Sequence, residues 1–109
     1  MSLKGTHIVI IVTCPSREEA ENIAKELLNK KLAACINIVH PVKSMFWWKG
    51  KIDVCDETLL IIKSRIDLSR DIVEVVRKLH SYSVPEVIML PIIGGNKDYL
   101  DWIDESVRD

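Results

Sequence analysis

Three short apolar runs constrain this chain more than any other feature: "IVIIV" at 8–12, "LLII" at 59–62 and "VIML" at 87–90. Each is short, rich in aliphatic and β-branched residues and flanked by polar or turn-forming residues, so each reads as a strand. None alternates apolar with polar. A strand with one wet face shows period-two alternation, whereas a strand apolar at every position is covered on both sides. Any sheet built from these runs therefore needs a cover for each of its faces.

The segments between them supply one cover. "HIVIIVT" from His7 to Thr13 forms the first strand and ends at Pro15. Ser16 with Glu19 three residues later is a capping box, in which hydroxyl and carboxylate satisfy the free amides that open a helix. Ala20, Ile23, Ala24, Leu27 and Leu28 follow on one helical face, with Glu18, Glu21, Lys25 and Lys30 around the rest. Ala33 to Val39 predicts a second strand, halted at Pro41. "SMFWWKGKI" reads as a hairpin turning at Gly50, and "TLLIIK" from Thr58 to Lys63 is the core of the returning strand. Asp67 or Ser69 starts a second helix with Ile72, Val75, Val76 and Leu79 inward. "EVIMLPII" gives a last strand, Gly94-Gly95 a turn, and Asn96 the cap of a short helix bearing Tyr99, Trp102 and Ile103 on its apolar side.

This order is that of an α+β, ferredoxin-like βαββαβ sandwich with an extended hairpin and an extra C-terminal helix. It occupies a single domain over residues 1–109, with residues 1–6 flexible or left over from cloning. Two helices cover one face of such a sheet, and no remaining element can cover all of the other. A second copy of the sheet is the simplest cover, which predicts a homo-oligomer.

Composition narrows the partners. With 15 Lys and Arg against 16 Asp and Glu, the formal charge of -1 gives no field to draw in nucleic acid or an anionic membrane. An RNA-binding sheet of this topology stacks bases on aromatic residues of its central strands, and "HIVIIV" and "TLLIIK" carry none. No apolar run approaches the roughly 20 residues of a membrane-spanning helix, and the N-terminus lacks the order of a signal peptide. Three cysteines without paired spacing fit a reducing compartment, here taken as the cytoplasm.

The cysteines offer little catalysis. Cys14, in "TCPSR", stands where metallochaperones of this topology place a thiolate pair, but the second position is Arg17. It reads as a small loop residue, the alternative being a thiol whose pKa the following helix N-terminus lowers. Cys35, in "LAACINIV", reads as a small packed side chain with no base placed to activate it. Cys55, in "DVCDE", has acidic neighbours that raise its pKa. "HSYSVPEV" is more informative, since it brings His80, Tyr82 and Glu86 into one connection. Tyr82 with Glu57 and Lys63 predicts a polar pocket for a small charged ligand. The alternative is a plain helix C-terminus with His80 stabilised by the helix dipole. Trp47 and Trp48, beside the hairpin turn, suit an anchor between subunits.

Taken as a series, "TCPS", "LAACIN", "SMFWWKGKI", Glu57, "IIKS", "HSYSVPE", "LPIIGG" and "YLDWI" resemble the signature segments of the CutA family, the divalent-cation tolerance proteins. The resemblance runs from His7 to Ile103. It implies a non-enzymatic homotrimer linked to divalent metal (copper) tolerance or response, and kinship with the trimeric PII signalling proteins. It requires no cofactor and implies that Cu(II) or another divalent cation binds weakly, with no nucleic-acid or membrane partner. Trp48, Glu57, Lys63, His80 and Tyr82 match family positions and are the candidates for an intersubunit cleft. Copper-binding relatives carry a first-strand cysteine and paired histidines where this chain has Val12 and Leu79-His80, which leaves His80, with Glu86, as the metal candidate. The competing expectation is a thiol-dependent or hydrolytic enzyme with an intersubunit active site.

Overall fold

The apolar runs lie side by side in one antiparallel sheet. In the computed structural model, which describes residues 6–109, β1 (His7–Cys14) is flanked by β3 (Lys51–Arg65) and β4 (Val87–Pro91), and β2 (Cys35–Trp48) pairs with the outer side of β3. The order β2-β3-β1-β4, with α1 (Arg17–Asn29) and α2 (Ser69–Leu79) connecting its strands, is the ferredoxin-like arrangement expected. Residues 1–5, most of the segment expected to be flexible or left over from cloning, lie outside the described residues.

Register puts like with like. Ile10 pairs with Ile62 on one side and Met89 on the other. Ile8, Ile10, Val12, Leu60 and Ile62 are buried on the sheet face toward α1 and α2, against Ala20, Ile23, Leu27, Ile72 and Val76. The capping box holds as read at its Ser: Ser16 Oγ accepts from the Glu19 amide at 3.2 Å. The helix leaves through a Schellman turn, with the Leu32 amide on the Leu27 carbonyl at 2.9 Å and the Lys31 amide on the Leu28 carbonyl at 3.0 Å. Lys31 takes φ 57° to make it.

The opposite face is only partly covered. α3 (Lys97–Ser106) packs at the end marked by His7 and Arg65, both of which reach Asp104, at 3.1 and 3.6 Å. Ile103 is buried beneath it. Beyond that helix the face is open: Ile88 and Leu90 are half exposed and Val39 is 40 % exposed.

Several expected boundaries move. β2 does not halt at Pro41. A cis His40-Pro41 peptide and an irregularity between Val39 and Val42 carry the strand past the proline, and pairing with β3 resumes at Val42↔Glu57 and continues to Trp48↔Lys51. The strand starts at Cys35 rather than Ala33, which is buried in the preceding turn. Neither Asp67 nor Ser69 caps α2 with its side chain; a 3-10 turn at Ile66–Leu68 leads in, and Asp67 instead pairs with Arg65 at 3.0 Å. Leu28 and Leu79 are about two-fifths exposed rather than inward, Leu79 lining a groove with Glu26, Lys30 and Lys78. The extended hairpin turns at Gly50 as expected and is longer than the runs suggested. Its strands of 14 and 15 residues stretch the molecule to 43 × 26 × 23 Å and leave Met45, Trp47, Trp48, Ile52 and Val54 exposed.

Candidate functional site

At one end of the sheet β1 stops, α1 begins and α2 ends, and their polar side chains meet. His80 is the C-cap of α2, leaving the helix at φ -79° and ψ 137°. Its ring turns inward and its side chain is fully covered. Nε2 lies 2.7 Å from the Thr13 carbonyl, which can only accept, so Nε2 carries a proton. Nδ1 lies 3.0 Å from the Tyr82 amide, which can only donate, so Nδ1 presents its lone pair. The two contacts fix the neutral Nε2–H tautomer.

Glu19, in the first turn of α1, closes the other side. Its Oε2 accepts from the Ser81 amide at 3.2 Å and stands 3.4 Å from His80 Nδ1. Cys14 is fully buried at the end of β1, and the candidate ligand atoms of Cys14, Glu19 and His80 lie within 4.8 Å of one another. Tyr82 stacks at a tilt on His80, ring centroids 4.8 Å apart, and donates its hydroxyl to Glu57 Oε2 at 2.9 Å. Glu57 is itself buried.

Burial and charge keep the protons in place. The Cys14 thiol is pushed up to about 12, by burial first and then by Glu19 and Glu57. The alternative, in which the helix N-terminus lowers it, does not hold, because desolvation and two carboxylates outweigh the helix dipole. The Tyr82 phenol is raised too, by burial and then by its bond to Glu57. Cys55 is raised by burial and then by Glu57, Asp53 and Asp56, in the expected direction. Neither Cys14 nor Cys55 is an activated nucleophile.

A second cluster occupies the other face. Lys63 Nζ donates to Asn37 Oδ1 and lies 3.8 Å from Cys35 Sγ. Tyr99 of α3 meets the same thiol, its phenol raised by burial and then by Cys35. Cys35 is half-buried here, in the rim between sheet and α3.

Of the five cleft candidates, one protomer brings together Glu57, His80 and Tyr82. Lys63 is six residues along β3 from Glu57, roughly 20 Å at the rise of a strand, and so stands apart from the Tyr82–Glu57 pair. Trp48 faces Lys51 at the hairpin end, about as far in the other direction, with Lys49 Nζ 5.9 Å from its ring. Glu86 is exposed at the entry to β4. Sequence reasoning placed Tyr82 beside His80 and missed Glu19 and Cys14, which also lie against it; the available signal was the phase of Cys14, even with Ile8, Ile10 and Val12 on the buried face.

The family described as "CutA1 divalent ion tolerance protein" matches residues 8–106. A divalent-cation tolerance protein CutA from Archaeoglobus fulgidus is 50% identical over 94% of this chain and 99% of its own length. The solved structure of that organism's CutA, titled as a periplasmic protein, superposes with a TM-score of 0.90 over 94% of this chain and 99% of that one. The crystal structure of CutA1 from Oryza sativa gives a TM-score of 0.94 at 45% identity, covering 99% of both chains. Against a chloroplastic rice protein, CutA 1, the chain is 47% identical and spans 58% of the relative's length.

Proposed function

The chain belongs to the CutA1 family of divalent ion tolerance proteins, and from that premise we propose that it works as a non-enzymatic homotrimer in the tolerance of, or response to, divalent metal, signalling through assembly in the manner of PII proteins. One observation carries the reading: the sheet face away from α1 and α2 and the outer hairpin present Val39, Met45, Trp47, Trp48, Ile52, Ile88 and Leu90 to solvent in a single protomer. Apolar surface of that extent on a small domain is an assembly surface. A trimer also brings together what one protomer separates. In the proposed trimer Trp48 and Lys63 come to Glu57, His80 and Tyr82 from a neighbouring copy, and the five residues line the intersubunit cleft.

Metal enters this proposal as cargo, with no resident cofactor: Cu(II) or another divalent cation binds weakly at the exposed Glu86 and at His80, whose Nδ1 serves as a ligand only once it is released from the Tyr82 amide. The free thiols Cys14, Cys35 and Cys55 favour a reducing compartment, taken as the cytoplasm, although named relatives are periplasmic and chloroplastic. No helix among the described residues is long and apolar enough to cross a membrane. The thiol-enzyme alternative is disfavoured by the high pKa of Cys14 and by the engagement of both His80 nitrogens. Sedimentation equilibrium tests the assembly, with an expected mass three times the 12.5 kDa chain. A monomer at micromolar concentration overturns the proposal.

A further inference from the structure

Cys35 has no part in the function proposed above, yet its thiol does not stand alone. It pairs directly with Lys63 across β2 and β3, so backbone register sets the two side chains next to each other on one sheet face. Lys63 Nζ lies 3.8 Å from Sγ, and the Tyr99 hydroxyl of α3 bonds to the same sulfur. We propose that Cys35 and Lys63 form a peroxide-responsive modification site. Hydrogen peroxide oxidises the thiol to a sulfenic acid, and Lys63 Nζ then closes on the sulfur to give a sulfenamide bridge.

Surroundings separate this thiol from the other two. Cys14 is fully buried, and burial with Glu19 and Glu57 pushes it up to about 12. Cys55 is raised by burial and then by Glu57, Asp53 and Asp56. Cys35 is half-buried, and the groups directed at its sulfur are an ammonium and a phenol. A negatively charged sulfur accepts such donors more strongly than a neutral one, and the thiolate is the form that attacks peroxide. Hydrogen peroxide is small and uncharged, so half burial does not shut it out.

Position favours the second step as strongly as the first. Asn37, two residues along β2 on the same face, accepts from Lys63 Nζ through its Oδ1 and holds the amine beside the sulfur. Reacting atoms in a near-attack pair stand about 3–3.5 Å apart. The observed 3.8 Å closes to that range by a small movement of the flexible four-carbon lysine stem. Both residues belong to one protomer, so the reaction does not depend on assembly.

The chemistry balances. Sγ attacks one peroxide oxygen, the O–O bond breaks, and the second oxygen leaves as water with the thiol proton. Sulfur loses two electrons and peroxide gains them, which gives Cys35 sulfenic acid. Nζ sheds its extra proton to solvent and attacks Sγ. The S–O bond breaks, hydroxide leaves as water with a proton from Nζ, and an S–N bond forms with no further oxidant. Sulfenic acids condense with backbone nitrogen in this way, and here a side-chain amine takes that place. Two equivalents of a small thiol reverse the bridge, the first by attack on Sγ and the second by reduction of the resulting mixed disulfide. While it lasts, the bridge removes the charge of Lys63 and pins β2 to β3.

The test treats the whole folded chain with hydrogen peroxide and digests it without reductant, with dimedone in a parallel sample to trap sulfenic acid. Wild type should yield a peptide pair joined through Cys35 and Lys63, two hydrogen atoms lighter than its separate parts, and dithiothreitol should release it. Lys63→Arg keeps the positive charge and the fold but lacks the amine, so it should lose the bridge and accumulate dimedone on Cys35. Cys35→Ser should lose both products. Peroxide that leaves Cys35 unmodified overturns the proposal, and so does oxidation to a disulfide or sulfinic acid with no bridge. Dimedone labelling of Cys35 to the same extent in wild type and Lys63→Arg also overturns it.

Discussion

The hydroxyl of Tyr82 donates to Glu57 Oε2 at 2.9 Å, tying the bend after α2 to the middle of the long hairpin. Glu57 is only 6 % exposed, so the phenol replaces water that the carboxylate has lost. Tyr82→Phe should destabilise the protein by about 1–3 kcal/mol, the cost of leaving a buried acceptor short of a donor. Glu57→Gln should cost less in the Tyr82→Phe background than in the wild type. Urea denaturation of the four proteins of this cycle measures the coupling, and additive effects would show that the bond contributes nothing.

Alkali should weaken the fold through Cys14. Its thiol is held up to about 12 in the folded state against an ordinary 9.0, so the folded chain keeps a proton that the unfolded chain gives up. The stability this confers is fully present below pH 9.0 and is lost as pH rises toward about 12. Tyr82 and Tyr99, both raised from 10.0, add the same sign at higher pH. Urea midpoints across this range should fall with pH, and Cys14→Ala should flatten the part that begins near 9.0. A rising midpoint would contradict the burial of the thiol.

Leu90 is half exposed on the open face of β4. Leu90→Lys should therefore leave a protomer's circular dichroism unchanged while shifting sedimentation equilibrium from trimer toward monomer. An unchanged mass would place the assembly surface elsewhere.

Lys31 carries an avoidable cost. It sits at φ 57°, in the left-handed region, at the position where a Schellman turn favours glycine. A non-glycine residue there costs on the order of 1–2 kcal/mol. Lys31→Gly should raise stability by about 1 kcal/mol once the added flexibility of the unfolded chain is set against that relief. Thermal denaturation checks it, and a lower midpoint would mean that the lysine side chain contributes more than its backbone strain removes.

The strands, the helices and their order were legible because the apolar runs and the Ser16 cap act locally. What failed was decided at a distance. Proline normally ends a strand, yet at Pro41 the bulge removes the need for a ladder amide and the partner strand beyond it keeps the pairing going. The Tyr82–Glu57 contact is legible only through chemistry, as two polar residues that suit one pocket, and not through spacing. Lys63 was added to them on the same chemical grounds, although its place six residues along β3 puts it roughly 20 Å away. The proline after Cys14 suggests a loop residue, whereas its alternation with Val12 assigns it to the interior.

The outer hairpin behaves as a cantilever. Past Val42 and Glu57 its two strands are supported within the protomer chiefly by each other, and an isolated two-stranded ribbon is only marginally stable in water. Local opening free energy should therefore fall from root to tip, so that backbone amides near Phe46 and Val54 exchange with solvent deuterium far sooner than that of Ile10. If neighbouring copies brace the tip, that gradient becomes a function of protein concentration, and dilution loosens one end of the molecule while its centre stays shut.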